Sequence, residues 1–226
     1  MRIPILYYHE VGKPESKHVV SPEAFEEQLA WLADAGFVAL SMDDVLAIDE
    51  GRRERPERPV ALTFDDGRAG VGREAAPRLL RRGMPATFYV VTGWLDGREL
   101  PEHERYSEIL GWDEVLALSK EGFCIGSHGV SHANLKRIPL DAAAVEISAS
   151  KRRLEEALDR PVPHFSFPYG RSTRAVRALV REAGYRTAVV TGERTSGRFA
   201  RLHHVPRLRV DGREPLEAFR RRVAGA

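Results

Sequence analysis

Two separated stretches of this chain carry side chains suited to metal-assisted hydrolysis. The first is Thr63-Phe64-Asp65-Asp66-Gly67, in which the apolar run from Pro59 to Phe64 delivers two adjacent carboxylates into a glycine turn. Charge placed at the end of a buried strand needs a counter-ion. The second is His128-Gly129-Val130-Ser131-His132, which follows the short apolar run Phe123 to Ile125. Its imidazoles are four residues apart, a spacing that one helical turn brings onto one face. A catalytic zinc site uses three protein ligands and keeps a position for water, and one of the two aspartates with His128 and His132 meets that count. A bound cation acidifies water and polarises a carbonyl, which brings amide or ester hydrolysis within reach near neutral pH. The remaining aspartate, ionised and off the metal, can then take a proton from the water.

Taken singly, Asp-Asp-Gly is a common turn and a histidine pair is common at surfaces and helix ends. A third stretch, Phe165-Ser166-Phe167-Pro168-Tyr169-Gly170, ends another apolar run in a rigid turn whose backbone N–H groups could face a developing oxyanion, or which simply ends a strand. The three gain weight from the elements that must carry them. Short apolar runs at about residues 3–8, 37–40, 59–64, 86–91, 123–125, 162–167, 185–190 and 204–210 alternate with amphipathic segments after Ser21-Pro22, at 42–48, 73–82, 112–120, 140–158, 173–183 and 215–222. About seven strands joined by helices require parallel pairing with right-handed crossovers. The expected fold is therefore α/β, a single-domain (β/α) barrel of about seven parallel strands spanning residues 1–226. A barrel is preferred to an open sheet because it gathers polar residues from the C-terminal ends of different strands around one mouth.

Composition sets the outer limits. The 226 residues are 42% hydrophobic, enough for a sizeable core, and 35 basic residues against 33 acidic ones leave a formal charge of +2. That balance gives no reason to expect nucleic acid as a partner. No apolar run is long enough for a membrane span, so no membrane insertion is expected. Met1 leads almost directly into a strand without an export signal. The chain as written therefore reads as cytoplasmic, although an exported protein trimmed of its leader would read the same. Cys124 is the only cysteine, and its place in a predicted strand makes it a small buried core residue rather than a reactive thiol.

With the three stretches in this order, the chain resembles the polysaccharide deacetylase family, also called the NodB homology domain or carbohydrate esterase family 4. The resemblance runs from about Pro59 to Val190. Thr63-Phe64-Asp65-Asp66-Gly67 matches the family's first motif, Ser127-His128-Gly129-Val130-Ser131-His132 its second apart from the glycine after His128, and Pro168-Tyr169-Gly170 part of its third. The resemblance implies a distorted (β/α) barrel with one divalent metal ion, zinc first with cobalt or nickel as alternatives, held by Asp66, His128 and His132. Asp65 would then be the general base, and the Tyr169 backbone N–H would join the metal in stabilising the oxyanion. The implied partner is an N-acetylated carbohydrate, and the implied reaction removes N-acetyl groups from N-acetylglucosamine-type units of an oligo- or polysaccharide. Two other readings stand beside it: a small-molecule amidohydrolase on the same scaffold, and a catalytically silent carbohydrate-binding homologue.

The departures from the family pattern are specific. An arginine that orients the catalytic aspartate usually stands near the position of Ser166, so here another cation must substitute or the base is less restrained; Arg171 is the nearest in sequence. The fourth motif, an aspartate with a nearby tryptophan, has no counterpart in Thr191-Gly192-Glu193-Arg194-Thr195-Ser196. Leu202-His203-His204 loosely matches the fifth, so His203 or His204 is the expected general acid. His9 ends the first predicted strand and would face the barrel mouth, whereas His18, His103 and His164 offer no comparable argument.

Overall fold

The computed structural model describes residues 3–13, 16–192 and 202–225. Its strands are β1 (Ile5–Tyr8), β2 (Glu10–Val11), β3 (Val19–Val20), β4 (Val38–Leu40), β5 (Pro59–Phe64), β6 (Thr87–Val90), β7 (Cys124–Ser127), β8 (His164–Ser166), β9 (Thr187–Thr191) and β10 (Val205–Arg209). The helices are α1 (Pro22–Asp34), α2 (Met42–Asp49), α3 (Ala76–Arg81), α4 (Thr92–Leu95), α5 (Trp112–Lys120), α6 (Leu140–Leu158), α7 (Arg174–Glu182) and α8 (Leu216–Ala224).

The main sheet runs β1-β10-β9-β8-β7-β6-β5 and closes through a β1–β5 pairing, giving a barrel of seven parallel strands, as expected. Its distortion has a definite cause. Ala61 pairs with Ile5 on one edge of β5 and with Leu40 on the other, whereas Thr63 pairs with Tyr7 and with Thr87. The short β4 thus occupies the lower half of the edge that β6 takes at the top. Strands β2 and β3 form a separate small parallel pair.

Alternation along the strands builds the two layers. On β5, Val60, Leu62 and Phe64 join the larger core under the helices, while Ala61 joins Ile5, Leu40, Met42, Val45, Tyr89 and Val189 in a smaller cluster that fills the barrel. Helix α2 supplies Met42 and Val45 to that cluster and so plugs the floor, the end at which the strands begin. The Met42 N–H donates to Thr87 Oγ1 at 2.8 Å, which fixes the plug to β6.

Helix α1 starts where Ser21 accepts from the Ala24 N–H at 3.1 Å with Pro22 in the first turn, and its apolar stripe Phe25, Leu29 and Leu32 is fully buried. Burial of each such side chain contributes about 1.5–3 kcal/mol, so Leu29→Ala is the kind of change that would loosen α1 from the barrel. Among the described residues no helix is long and apolar enough to cross a membrane.

Candidate active site at the barrel mouth

The parallel topology brings all seven strand ends to one face, and there the chain leaves the ladders through unusual turns. The Asp65 N–H still donates to the Tyr8 carbonyl at 3.0 Å, so Asp65 continues the inward-facing register of Ala61 and Thr63. Asp66 and Gly67 then both take φ of 75°. Aspartate tolerates the left-handed region better than most residues, but a Cβ at position 67 would also meet Val90 at 3.1 Å, which leaves glycine as the residue that fits.

The histidine pair is held differently from the helical turn its spacing implied. Between His128 and His132 the chain is an irregular loop with Gly129 at φ 81° and His132 at φ 59°. A helix is unavailable because Glu146 of α6 captures the loop: its carboxylate accepts the N–H groups of Val130 and Ser131 at 2.9 Å each and the Ser131 hydroxyl at 2.7 Å. Thr92 and Gly93 donate to the carbonyls of Gly129 and Val130 from the other side. His128 donates from Nδ1 to the Ser166 carbonyl at 2.7 Å, which fixes its tautomer and leaves Nε2 as a lone-pair donor.

Asp66 Oδ1 lies 3.5 Å from Nε2 of both His128 and His132. The three ligand atoms lie within 4.8 Å of one another. Tetrahedral coordination with bonds of about 2.1 Å has ligand-to-ligand edges of about 3.4 Å, so the triad fits one divalent ion. The other oxygen of Asp66 is occupied elsewhere. Arg68, fully buried, reaches Oδ2 at 3.2 and 3.3 Å and Glu104 at 2.5 Å, and the Tyr106 hydroxyl approaches Oδ2 at 3.4 Å. Burial raises the pKa of Asp66, but its histidine and arginine neighbours outweigh burial and hold it well below the ordinary value. Burial lowers His132 to about 3, against the pull of Asp66, so this imidazole is neutral, the form a ligand needs.

Asp65 has a separate support. Arg207 of β10 grips it bidentately, Nη1 to Oδ1 at 2.8 Å and Nη2 to Oδ2 at 2.6 Å, and also donates to Ser166 Oγ at 2.9 Å and Thr63 Oγ1 at 3.1 Å. The guanidinium lies between the rings of Tyr7 and Tyr89, 4.7 and 5.6 Å from their centroids. Burial pushes the Asp65 carboxyl up, and Arg207, with His128 and His9 behind it, more than offsets that, leaving the group ionised below the usual range. The cation missing beside Ser166 is therefore supplied by Arg207, 41 residues further on, and not by Arg171, which is exposed. Ser166 serves both aspartates' surroundings: its hydroxyl supports Arg207 and its carbonyl orients His128.

Asp65, Asp66, His128 and His132 line one cavity of about 350 Å³ together with His9, His18, Tyr169 and Arg209. His9, at the end of β1, is brought to the site; its Nδ1 is buried with no hydrogen-bond partner, and burial lowers its pKa against the opposing pull of Asp66 and Asp65. His18 packs edge-on to His9 at 4.7 Å and has its pKa lowered to about 4, by burial first and then by His9. Tyr169 sits in a left-handed turn at φ 58° with its ring 4.7 Å from that of His132. Gly170 closes this turn against Thr191, whose Oγ1 would lie 2.1 Å from a Cβ.

His203 and His204 are not brought to the mouth, which corrects their expected place. They precede β10, at the floor end, where His203 Nε2 donates to the Tyr185 carbonyl at 2.8 Å before β9 begins. Of the stretch without a fourth motif, Thr191 lines the cavity, while Glu193 to Ser196 lie outside the described residues. Arg68, Glu104, Tyr106, His18 and Arg207 were not anticipated from sequence. For Arg207 there was a signal: Arg207 and Arg209 alternate with Leu208 and Val210, the pattern of a barrel strand with its polar side inward.

A closed parallel barrel with paired carboxylates and imidazoles at the strand C-termini defines an α/β-barrel protein with a candidate metal site at its mouth. A family model described as polysaccharide deacetylase matches residues 52–188, more than half of the sequence, and the chain belongs to that family. It is 25% identical over 209 residues to YxkH of Bacillus subtilis, covering 92% of this chain and 71% of that one. It is also 25% identical over 241 residues to the poly-beta-1,6-N-acetyl-D-glucosamine N-deacetylase of Escherichia coli, covering 90% of this chain but only 35% of the relative's length. The fold matches the Streptococcus pyogenes deacetylase PplD in complex with acetate, with TM-score 0.86, 24% identity, and 99% and 98% of the two chains covered.

Proposed function

We propose that this deacetylase removes N-acetyl groups from N-acetylglucosamine-type units of an oligo- or polysaccharide, with zinc as the resident ion. The observation that carries the reading is the division of two adjacent carboxylates. Asp66 shares a point with His128 and His132, while Asp65, in the same cavity, is held apart by Arg207. Two imidazoles and one carboxylate suit zinc, and such an ion, when bound, supplies Lewis acidity toward a carbonyl and acidifies water.

The remaining chemistry falls to the chain's own side chains. Asp65 takes the proton of the attacking water, a role its ionised state suits. The Tyr169 N–H, in the turn beside His132, faces the oxyanion as the amide carbon becomes tetrahedral. His9 replaces His203 and His204 as the group that hands a proton to the departing amine, regaining one from Asp65, which took it from water, because it is the histidine outside the triad that ends a barrel strand at the mouth. The sugar preference is supported by the named activity of the Escherichia coli relative.

The test is acetate release by purified protein across a panel of N-acetylated oligosaccharides and small amides, with the metal content measured alongside. Release from N-acetylglucosamine oligomers is expected. Turnover confined to small amides would favour the amidohydrolase reading, and bound metal and sugar with no turnover would favour the silent one.

A further inference from the structure

The floor of the barrel holds a second group of ligand-type side chains, unrelated to the proposed deacetylation. Asp43 in the first turn of α2, Cys124 at the start of β7 and His164 at the start of β8 place a carboxylate oxygen, a sulfur and an imidazole nitrogen within 4.8 Å of one another. His164 is fully buried and Cys124 nearly so, whereas the Asp43 side chain is 56% exposed. His164 Nε2 lies 2.8 Å from Asp43 Oδ1, and because a carboxylate only accepts, the imidazole proton is on Nε2. Its Nδ1 lies 2.7 Å from Thr187 Oγ1. The Cys124 thiol is within hydrogen-bonding reach of Asp43 and Thr87.

We propose that Asp43, Cys124 and His164 form a second metal site, for a borderline divalent cation of the zinc and cobalt class, with its open coordination position on the solvent side beside Asp43. Three donors of three kinds converge from one helix and two strands, and thiolate, imidazole and carboxylate are the ligand types such ions prefer. The proton accounting closes. The thiol loses its proton to solvent and binds as thiolate. The imidazole proton moves from Nε2 to Nδ1, where the Thr187 hydroxyl, already at 2.7 Å, turns to accept it. One proton leaves for each ion bound. The Nε2 to Oδ1 distance must open from 2.8 Å toward an edge of about 3.4 Å, a shift that the exposed Asp43 side chain can make. The ion would clamp α2, the floor plug, to β7 and β8.

Cobalt titration of the metal-free full chain tests this, followed in the near ultraviolet where thiolate-to-cobalt charge transfer absorbs. Cys124 is the only cysteine, and the mouth triad contains no sulfur, so this band reports the floor alone. The expected band is bleached by zinc and persists in Asp66→Asn, where, with the mouth no longer competing, it saturates at about one ion per chain. It disappears in Cys124→Ser, and cobalt affinity for it falls at least about tenfold in His164→Gln. Absence of the band from the wild-type chain while the mouth fills with cobalt would overturn the proposal without any variant. A band of unchanged affinity in both His164→Gln and Asp43→Asn would also overturn it, by reducing the site to a single thiol.

Discussion

The mouth and the floor of the barrel bury polar side chains in opposite ways. At the floor, Asp43 stands in the first turn of α2 while Cys124 and His164 are the first residues of β7 and β8, and Met42 and Val45 pack the interior beside them. At the mouth, the strands run out into turns, and three of the four described non-glycine residues with positive φ are there: Asp66, His132 and Tyr169. Each such conformation costs on the order of 1–3 kcal/mol, less for aspartate, and persists only where its surroundings over-determine it. Glu146 does this for the histidine loop, while Arg68 and Arg207 do it for the carboxylates. The contrast shows where preorganisation has been installed. Two buried guanidiniums hold adjacent aspartates in different surroundings, Arg68 on Asp66 and Arg207 on Asp65.

The largest effect is expected where that division is broken. Asp65→Asn should lower kcat by about 10³-fold or more while leaving metal content intact, since a positioned general base contributes roughly 10²–10⁴-fold. Asp66→Asn should lose the ion as well as turnover. Metal analysis of both purified variants checks the pair, and loss of the ion from Asp65→Asn would mean the two roles are exchanged.

Arg207→Met comes next. Removing one partner of a buried ion pair leaves an uncompensated charge and costs about 3–5 kcal/mol. Its pH dependence has a definite sign. The folded carboxyl of Asp65 lies below its unfolded value of about 3.9, so its contribution is complete above that pH and is lost as pH falls through the folded value. Without Arg207, burial is opposed only by His128 and His9, and the folded value moves up. In chelated protein, the wild-type advantage in urea midpoint should be widest at pH 7 and should narrow toward pH 4. An advantage that stays constant over that range would show that Arg207 acts by packing alone.

A smaller effect isolates the shared support. Ser166→Ala removes the hydroxyl that accepts from Arg207 but keeps the carbonyl that orients His128. A cost of about 1–3 kcal/mol in stability is expected, with metal affinity close to wild type. Weakened metal binding would instead place the serine side chain in the histidine's support.

These experiments also mark what the sequence discloses. The strand and helix alternation, the barrel and the convergence of one aspartate with His128 and His132 follow from local patterns, namely apolar runs, caps and glycine turns, whereas the choice of Asp66 over Asp65 rests on the family resemblance. The irregular path of the histidine loop depends on Glu146 from a helix that begins eight residues later, which spacing alone does not reveal. The Asp65–Arg207 pair spans 142 residues and exists only because β1 closes the barrel between β5 and β10. Likewise Arg68, Glu104 and Tyr106 come together through a loop without periodicity.

The smallest effect concerns the histidines that sequence matching sent to the wrong end. In a parallel barrel, a residue that precedes its strand lies at the floor, so Leu202-His203-His204 cannot reach the mouth that Arg207 and Arg209 of the same strand reach. His203→Gln removes at most one hydrogen bond to the Tyr185 carbonyl, about 1 kcal/mol of stability. Both His203→Gln and His204→Gln should leave kcat within about twofold of wild type, the range of substitutions away from a site. His9→Gln, at the mouth, should cost about 10²-fold if its proton reaches the leaving amine. Steady-state kinetics on the three variants separates the ends: a hundredfold loss in His203→Gln with His9→Gln unchanged would return the general acid to the floor and dissolve the contrast between them.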